Sequence, residues 1–228
     1  MKVAIQQPEH LPWMGFFDKM SKCDLFIYLD NVQFKKRYFE NRNKIRGWDG
    51  WRWLGVPVLT KGRFTQKINE VEIDDSGNWD GKYLETLRRS YAKTPGFDAL
   101  FPEIERVIRG QHGKLLDLNL ALIDVLRRHM GIDTPTALAS EIVPSKILKG
   151  GDLILKLCEE VDADSYISGP DGKNYLRLDD FENARIKLEY HDYNHPLYRQ
   201  MHGDDFISHL SSVDFIFNRN TASISQIS

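Results

Sequence analysis

Two apolar segments flank one short helical pattern near the start of the chain, and this order permits few architectures. Residues 2–6 have the composition of a strand, and residues 24–29 form a nearly all-apolar strand. Between them, residues 13–22 carry bulky apolar side chains at helical spacing. A strand that is apolar on both faces needs cover on both faces, which is typical of a parallel sheet. The order therefore predicts a βαβ unit with a right-handed crossover.

Hydrophobic periodicity in the remaining chain predicts a hairpin, a helical lobe and further strands. Residues 51–58 and 67–73 alternate around a turn at 61–63, which predicts a β-hairpin. Helices are expected at about 81–93, 97–110 and 114–130, in a helical lobe at about 81–130. Strands are expected at 134–142, 165–168 and 186–190, and helices at 148–161 and near 205–217. We expect one domain over residues 1–228, with a small parallel or mixed, Rossmann-like sheet.

Composition and charge exclude several classes of protein. The chain has 31 Lys and Arg against 33 Asp and Glu, with 41% hydrophobic residues, which is typical of a globular protein and not of a disordered or collagen-like one. It contains no apolar run long enough to span a membrane, and the apolar start is too short for a signal peptide. Cys23 and Cys158 lie in apolar segments and are interpreted as packed thiols. We expect a cytoplasmic protein without membrane insertion.

Polar residues follow the first two predicted strands, at the edge where open α/β sheets bind their ligands. Gln6 and Gln7 come after the first strand, and Asp30 comes after the second. A basic stretch follows, with seven basic and two acidic residues between Lys35 and Arg52, a local charge of +5. Charge-assisted bonds from these cations to phosphate oxygens are one interpretation, and a solvated basic face is the other.

Nucleic acid is a further alternative for the basic stretch, because Trp48, Trp51 and Trp53 lie among its cations. The acidic pI of about 6.4 for the whole chain argues against a broad surface for polyanions.

Two later segments are candidates for the wall of a ligand site. Residues 168–175 form a glycine-containing loop after a predicted strand, with Lys173 as its cation, and a plain turn is the alternative. Four histidines fall between residues 191 and 209, but Pro196 makes a zinc-binding helix improbable there, and we predict no metal site. The loop from His195 to Gln200 is instead expected to border the same pocket.

The sequence resembles the WbqC-like family, bacterial proteins found in O-antigen and other surface-polysaccharide gene clusters. The motifs that carry the resemblance are Gln7-Pro8 with Leu11-Pro12-Trp13-Met14-Gly15, Asp30-Asn31-Val32-Gln33-Phe34, Asn41-Arg42-Asn43, Tyr166-Ile167-Ser168-Gly169 and His195-Pro196 with Gln200. They span nearly the whole chain. The chain departs from the family pattern at His10, where a tyrosine is usual.

The resemblance implies a transferase or ligase that adds an aminoacyl group, for example glycyl, or another acyl group to an amino sugar or nucleotide-linked amino sugar. The alternative is a non-catalytic protein that binds a nucleotide sugar or a glycan. ATP or an activated acyl donor is the expected cofactor, and a charged tRNA used as donor is the one nucleic acid expected.

Asp30 and His10 are the candidate catalytic residues. The candidate substrate-binding residues are Gln6, Gln7, Trp13, Gln33, Lys36, Asn41, Arg42, Lys44, Ser168, Gly169, Gly172, Lys173, Tyr175, His195 and Gln200. We expect Lys36, Arg42 and Lys44 to face the same cleft as Gln7 and Asp30, because the loop that carries these cations leaves the carboxyl end of the neighbouring strand.

Overall fold

A computed structural model of the chain describes residues 1–144 and 148–219. In chain order the elements are β1 (Lys2–Gln6), α1 (Met14–Ser21), β2 (Leu25–Tyr28), β3 (Arg42–Gly47), β4 (Gly50–Gly55), α2 (Trp79–Tyr91), α3 (Phe97–Ile108), α4 (Leu115–His129), β5 (Thr136–Leu138), α5 (Ala139–Ile142), α6 (Gly150–Glu160), β6 (Ser165–Ser168), α7 (Leu178–Asn183), β7 (Lys187–Tyr190) and α8 (Ser212–Phe217). Short 3-10 helices occupy Ile68–Glu70 and Pro170–Asn174.

The chain divides into two compact units, which we call the sheet unit and the hairpin unit. The sheet unit contains Met1–Pro8, Asp18–Val32 and Asp133–Asn194. The hairpin unit contains Glu9–Phe17, Gln33–Ile132 and the described residues from His195 onward. The expectation of one domain over the whole chain stays a prediction.

The sheet unit holds a five-stranded sheet in the order β5-β2-β1-β6-β7, and all of its pairings are parallel. The predicted βαβ start and the α/β fold class are therefore confirmed. One face of the sheet packs its apolar side chains against α6 and α7, as Val3, Ile5 and Tyr166 do with Leu157 and Phe181. Burying these side chains on a parallel sheet supplies the core that the near-continuous apolar strands predicted.

The hairpin unit combines the β3–β4 hairpin with α2, α3, α4 and α8. The three helices predicted between residues 81 and 130 are confirmed with small shifts at their ends. Aromatic rings join α2, α3 and α8, because Phe217 stacks on Tyr91 at 4.7 Å and on Phe97 at 5.8 Å between ring centroids.

The predicted pairing of the hairpin is wrong. Strand β4 (Gly50–Gly55) pairs with Arg42–Gly47. Residues 67–73 instead contact the segment after β4, through an isolated antiparallel bridge between Val58 and Ile73. Gly47 and Gly50 face each other across a two-residue turn, and Gly50 has a φ of 142°, which glycine adopts without strain. This turn brings the basic segment into a strand that the sequence assigned to a loop.

Three other element predictions need correction. The strand expected at 134–142 is shorter, because the chain turns into α5 at Ala139. The helix expected near 205–217 begins only at Ser212, where the Ser211 side chain accepts a hydrogen bond from the N–H of Val213 and caps it. The helix expected from residue 148 begins at Gly150.

The described residues, 1–144 and 148–219, contain neither a membrane-spanning helix nor a cluster of metal-binding side chains. Within these ranges no helix is long and apolar enough to cross a membrane. No group of three His, Cys, Asp or Glu side chains in the same ranges is arranged to hold a metal ion. Cys23 and Cys158 are buried free thiols, and burial raises the pKa of both to about 12. A thiol with such a pKa stays protonated at neutral pH, which agrees with a packing role.

Candidate functional site

The candidate site is the carboxyl edge of the parallel sheet in the sheet unit. Strand order runs outward from β1 through β2 to β5 and then resumes on the other side of β1 with β6 and β7. The direction therefore reverses between β1 and β6, which makes their carboxyl ends the topological switch point where open α/β sheets bind ligands. The segments that follow these two strands begin with Gln7 and Gly169.

Three residues form a row at this edge. The parallel register of β1, β6 and β7, continued just past the strand ends, sets Gln6, Gly169 and His191 side by side. The N–H of His191 donates to the carbonyl of Ser168 at 2.8 Å, so the pairing extends to the histidine. A Cβ built on Gly169 would meet no atom within 4 Å. Gln6 and His191 therefore flank a position that is open.

His191 is paired with a carboxylate of α1. Its Nε2 lies 2.6 Å from Oδ2 of Asp18, and the Nζ of Lys22 lies 2.6 Å from the same oxygen. Partial burial acts to raise the pKa of Asp18, but the hydrogen bonds with His191 and Lys22 lower it below its ordinary value. Asp18 is therefore an acceptor, which assigns the proton to Nε2 of the imidazole and leaves Nδ1 as the basic nitrogen.

The orientation of His191 is well restrained. Its side chain is 7% exposed and its ring stacks on Tyr193 at 6.1 Å between centroids. No described residue makes a hydrogen bond to its Nδ1. A histidine fixed by a carboxylate through one nitrogen and unbonded at the other has the arrangement of a general base.

The glycine-containing loop lies directly after β6, as expected. Ser168 is buried and donates to the carbonyl of Gly169 at 3.0 Å. A Cβ at Gly172 would collide with the Ser168 hydroxyl, so the loop can fold back over β6 only with glycine at that position. Lys173 lies 5.1 Å above the ring of Tyr190, and Tyr175 is half exposed. The loop thus brings one cation and one exposed phenol to the edge.

Asp30 follows β2 at the same edge but is fully buried. Its Oδ1 accepts the N–H of Ser140 at 2.9 Å, and its Oδ2 accepts the Ser140 hydroxyl at 2.6 Å. The carboxylate therefore caps the first turn of α5 and ties it to the end of β2. Its predicted catalytic role stays a prediction, and the geometry assigns it a positioning role.

His10, the second candidate catalytic residue, lies in the core of the hairpin unit. Its ring is 0% exposed, with Nδ1 2.9 Å from Oδ1 of Asn119 and Nε2 2.8 Å from the Tyr83 hydroxyl. Asn119 in turn donates to the carbonyl of Glu40 at 2.7 Å. Burial lowers the pKa of His10 to about 4, so the ring is neutral near pH 7. The catalytic role of His10 stays a prediction, and these contacts are those of a structural histidine.

The buried His10 predicts a distinct dependence of stability on pH. The folded pKa lies below the ordinary value of 6.5, so the unfolded chain takes up this proton first as pH falls. Stability is then complete above about pH 6.5 and declines toward pH 4, by about 3 kcal/mol for this one group. We expect His10→Gln to lack that part of the decline in urea titrations at several pH values. An unchanged pH dependence in the variant would contradict the burial of a neutral ring.

Three further candidate residues, from the first and last chain segments of the hairpin unit, make contacts within that unit. Trp13 stacks on His209 at 5.2 Å between ring centroids. Nδ1 of His195 donates to the carbonyl of Pro196 at 3.0 Å, and burial lowers the pKa of His195. Gln200 is buried and donates to Oδ2 of Asp214 at 2.9 Å. These residues hold the last loop against α8.

The candidates of the basic stretch also belong to the hairpin unit. Gln33 donates to the carbonyl of Phe64 at 3.0 Å, Asn41 donates to the carbonyl of Val56 at 3.0 Å, and Lys36 is exposed. Arg42 and Lys44 lie on strand β3 and not in a loop, which corrects the interpretation of this segment. The expectation that these cations share a cleft with Gln7 and Asp30 stays a prediction.

The model of the WbqC-like protein family matches residues 7–226, nearly the whole chain and parts of both units. The chain belongs to the WbqC-like protein family. Among curated proteins, this WbqC-like chain is similar to the uncharacterized protein Rv1507c of Mycobacterium tuberculosis strain H37Rv, with 33% identity over 221 residues that cover 95% of this chain and 93% of the relative. No solved structure matches the chain.

The pair formed by Asp18 and His191 is the part of this WbqC-like site that sequence reasoning missed. The two residues are separated by 173 positions, and only the sheet topology brings them together. One signal was available, because His191 directly follows a predicted strand and so falls at a strand end. In the sequence, His191 was considered only as one of four histidines that could bind a metal ion.

Proposed function

We propose that this WbqC-like protein is a transferase or ligase that adds an aminoacyl group, for example glycyl, or another acyl group to the amine of an amino sugar or nucleotide-linked amino sugar. The reaction would serve the biosynthesis of O-antigen or another surface polysaccharide, in the cytoplasm. The observation that carries the proposal is the His191–Asp18 pair beside the switch point of a parallel sheet.

The chemistry requires a base. An amine attacks an acyl carbon only in its neutral form, and the new C–N bond leaves a surplus proton on nitrogen. In the proposed reaction Nδ1 of His191 accepts that proton, and the bond from the acyl carbon to its phosphate or ribose oxygen breaks as the leaving group departs. Asp18 stabilises the imidazolium formed in this step through the 2.6 Å bond to Nε2.

Binding groups for the acceptor are available at the same edge. Gln6 and Gln7 supply amides for sugar hydroxyls, and Lys173 supplies a cation for a phosphate of the nucleotide. Gly169 leaves room between Gln6 and His191, since no atom lies within 4 Å of where a side chain would begin. The leaving group would come from ATP, which activates the carboxylate as an acyl phosphate or acyl adenylate, or from an already activated acyl donor.

The alternative function is binding of a nucleotide sugar or glycan without catalysis. The observation that favours it concerns the two residues first considered catalytic. Asp30 has both carboxylate oxygens in hydrogen bonds to Ser140, and His10 has both ring nitrogens in hydrogen bonds within the core. If the site depended on Asp30 and His10, it would bind its ligand without a general base, because the polar atoms of both side chains are already hydrogen-bonded.

One assay separates the two functions. Purified protein is incubated with a nucleotide-linked amino sugar together with glycine and ATP, and in a second reaction with a charged tRNA in place of glycine and ATP. The mass of the sugar product is then measured by mass spectrometry. The proposal predicts a gain of one acyl mass. Retained binding of the nucleotide sugar in calorimetry, with no mass gain from any donor, would contradict the transferase and support the binder.

A further inference from the structure

We propose that the outer face of the β3–β4 hairpin binds single-stranded nucleic acid by stacking its bases and neutralising its phosphates. We define this hairpin face by the side chains of Arg42, Lys44, Trp51 and Trp53. The proposal concerns the hairpin unit alone and does not rest on the proposed transferase activity.

The hairpin has two different faces. Lys44 lies directly opposite Trp53 in the antiparallel register, and Trp51 follows on the same side because side chains alternate along a strand. The other side faces the core, and its buried side chains are Asn43, Ile45 and Leu54. Arg46 lies on the same side as Lys44 but is 3% exposed, because its guanidinium donates to the carbonyl of His202 at 2.8 Å. Arg42, Lys44 and the two tryptophans therefore share the part of this side that faces away from the core.

The aromatic rings on this face are exposed. Trp51 is 45% exposed and Trp53 is 38% exposed, and their centroids lie 5.5 Å apart. The ring of Phe39 lies 5.9 Å from Trp53, and Tyr38 beside it is 46% exposed. A contiguous exposed aromatic patch of this kind marks a binding surface, since exposed apolar area gains free energy when a partner covers it.

The charges on this face are positive. The guanidinium carbon of Arg42 lies 3.9 Å from the centroid of Trp53, and Nζ of Lys44 lies 4.5 Å from that of Trp51. In the described ranges, neither cation has a carboxylate within salt-bridge distance. Glu40 is the nearest acidic residue in sequence, but it is 1% exposed and burial raises its pKa. The guanidinium of Arg42 donates to the carbonyl of Arg37, which leaves its charge without a carboxylate partner among the described residues. The positive charges of Arg42 and Lys44 are therefore available to an anionic partner.

The hairpin face continues into a groove of about 440 Å³. Arg42 and Trp53 form one wall, and Trp79 and Lys82 of α2 form the other. At the first wall, Nε of Arg42 and Oδ1 of Asn41 are buried and make no hydrogen bond with any residue that the structure describes. Buried polar atoms without a partner are rare in native proteins and indicate a missing ligand or water.

Exposed tryptophan rings next to cations fit a partner that carries planar rings and regularly spaced negative charges. Bases stack on tryptophan whatever their sequence, and cations between the rings neutralise the phosphates that link them. Bases are free to stack in this way only in a single strand. The acidic pI of the whole chain argued against nucleic acid, but that argument does not apply to a local face whose two cations make no ion pair with any described carboxylate.

The test measures binding of fluorescent oligouridine, oligoadenosine and oligothymidine by anisotropy, with heparin and a nucleic acid duplex as competitors. Trp51→Ala is expected to weaken binding by about 5- to 150-fold, the range found for one stacked base, and Trp51→Phe to restore most of it. If about three phosphates are neutralised, affinity falls about 20-fold between about 50 and 200 mM salt, and less steeply in Lys44→Gln.

Two matched controls lie elsewhere in the hairpin unit. Phe64 is an aromatic residue that is 84% exposed, and Lys61 is an exposed lysine at a turn. Phe64→Ala and Lys61→Gln are expected to bind oligonucleotides as the original protein does. The proposal is overturned if no oligonucleotide binds at low salt, or if Phe64→Ala weakens binding as much as Trp51→Ala. It is also overturned if heparin alone binds and Trp51→Ala leaves that binding unchanged.

Discussion

Replacing His191 with glutamine is expected to lower kcat of the acyl transfer by about 10²- to 10⁴-fold, the contribution typical of a positioned general base. KM for the amino sugar should change little, because the amide keeps a polar group at the edge of the sheet. Asp18→Asn should also lower kcat, because an amide does not hold His191 in the tautomer in which Nδ1 is the base. Initial rates measured by mass spectrometry check both variants.

The chain offers a matched control for this experiment. His129 on α4 pairs with Glu103 through Nε2 and Oε1 at 2.9 Å, in the same kind of contact. That pair lies in the hairpin unit, which contributes no strand to the parallel sheet. His129→Gln should leave kcat unchanged. Equal losses in His129→Gln and His191→Gln, or an active His191→Gln enzyme, would remove His191 from the mechanism.

Replacing Asp214 with alanine is expected to lower the free energy of unfolding by about 3–5 kcal/mol, the cost of breaking a buried charged network. The carboxylate is 0% exposed, and Tyr91 donates to Oδ1 at 2.9 Å while Tyr198 and Gln200 donate to Oδ2 at 2.8 and 2.9 Å. Alanine removes the acceptor of all three donors, and Tyr91 and Gln200 are buried, so leaving these two without it costs free energy. Denaturation in urea measures the difference.

An exposed aspartate of the same segment provides the comparison for Asp214. Asp204 is exposed, and Asp204→Ala should change stability by no more than about 0.5 kcal/mol. Asp214→Asn should fall between the two, since one acceptor oxygen remains while the amide presents a second donor to Gln200. A loss below about 1 kcal/mol in Asp214→Ala would show that the network relaxes around the gap.

The parallel sheet could be predicted from sequence because its signals are local. The apolar run that ends at Tyr28 excludes a half-exposed strand, and the helical pattern before it leaves only a crossover between parallel strands. Ser165–Ser168 was also predicted with the bounds that the structure has. Both strands are buried on both faces, and such strands consist of a short run of apolar residues that can be recognised in the sequence itself.

The hairpin could not be paired correctly because strand pairing is not local. Alternation around Trp51 predicted a strand but not its partner, and the polar sequence of β3 hid a strand with one buried face. An Asp-Gly pair is present at Asp49-Gly50, but it is shifted by one position from the two turn residues, Trp48 and Asp49, so Gly50 supplies the positive φ just after the turn.

The candidate site was predicted in part. Gln6 and residues 168–175 were assigned to strand ends, and the sheet order brings those ends together at the switch point. Asp30 and His10 were chosen because they lie beside those ends in sequence, whereas hydrogen bonds to Ser140 and Asn119 determine what they do. The contact of His191 with Asp18 depends on tertiary packing, so no sequence pattern announces it.

The central claim is that the carboxyl edge between β1 and β7 binds the amino sugar, with its amine at His191. A crystal structure of the protein with a nucleotide-linked amino sugar tests it most directly. The account predicts that the amine lies about 3 Å from Nδ1 of His191, within hydrogen-bonding distance of the base. It also predicts that the sugar occupies the open position at Gly169. A nucleotide sugar bound elsewhere, with Nδ1 of His191 out of reach of its amine, would contradict the account.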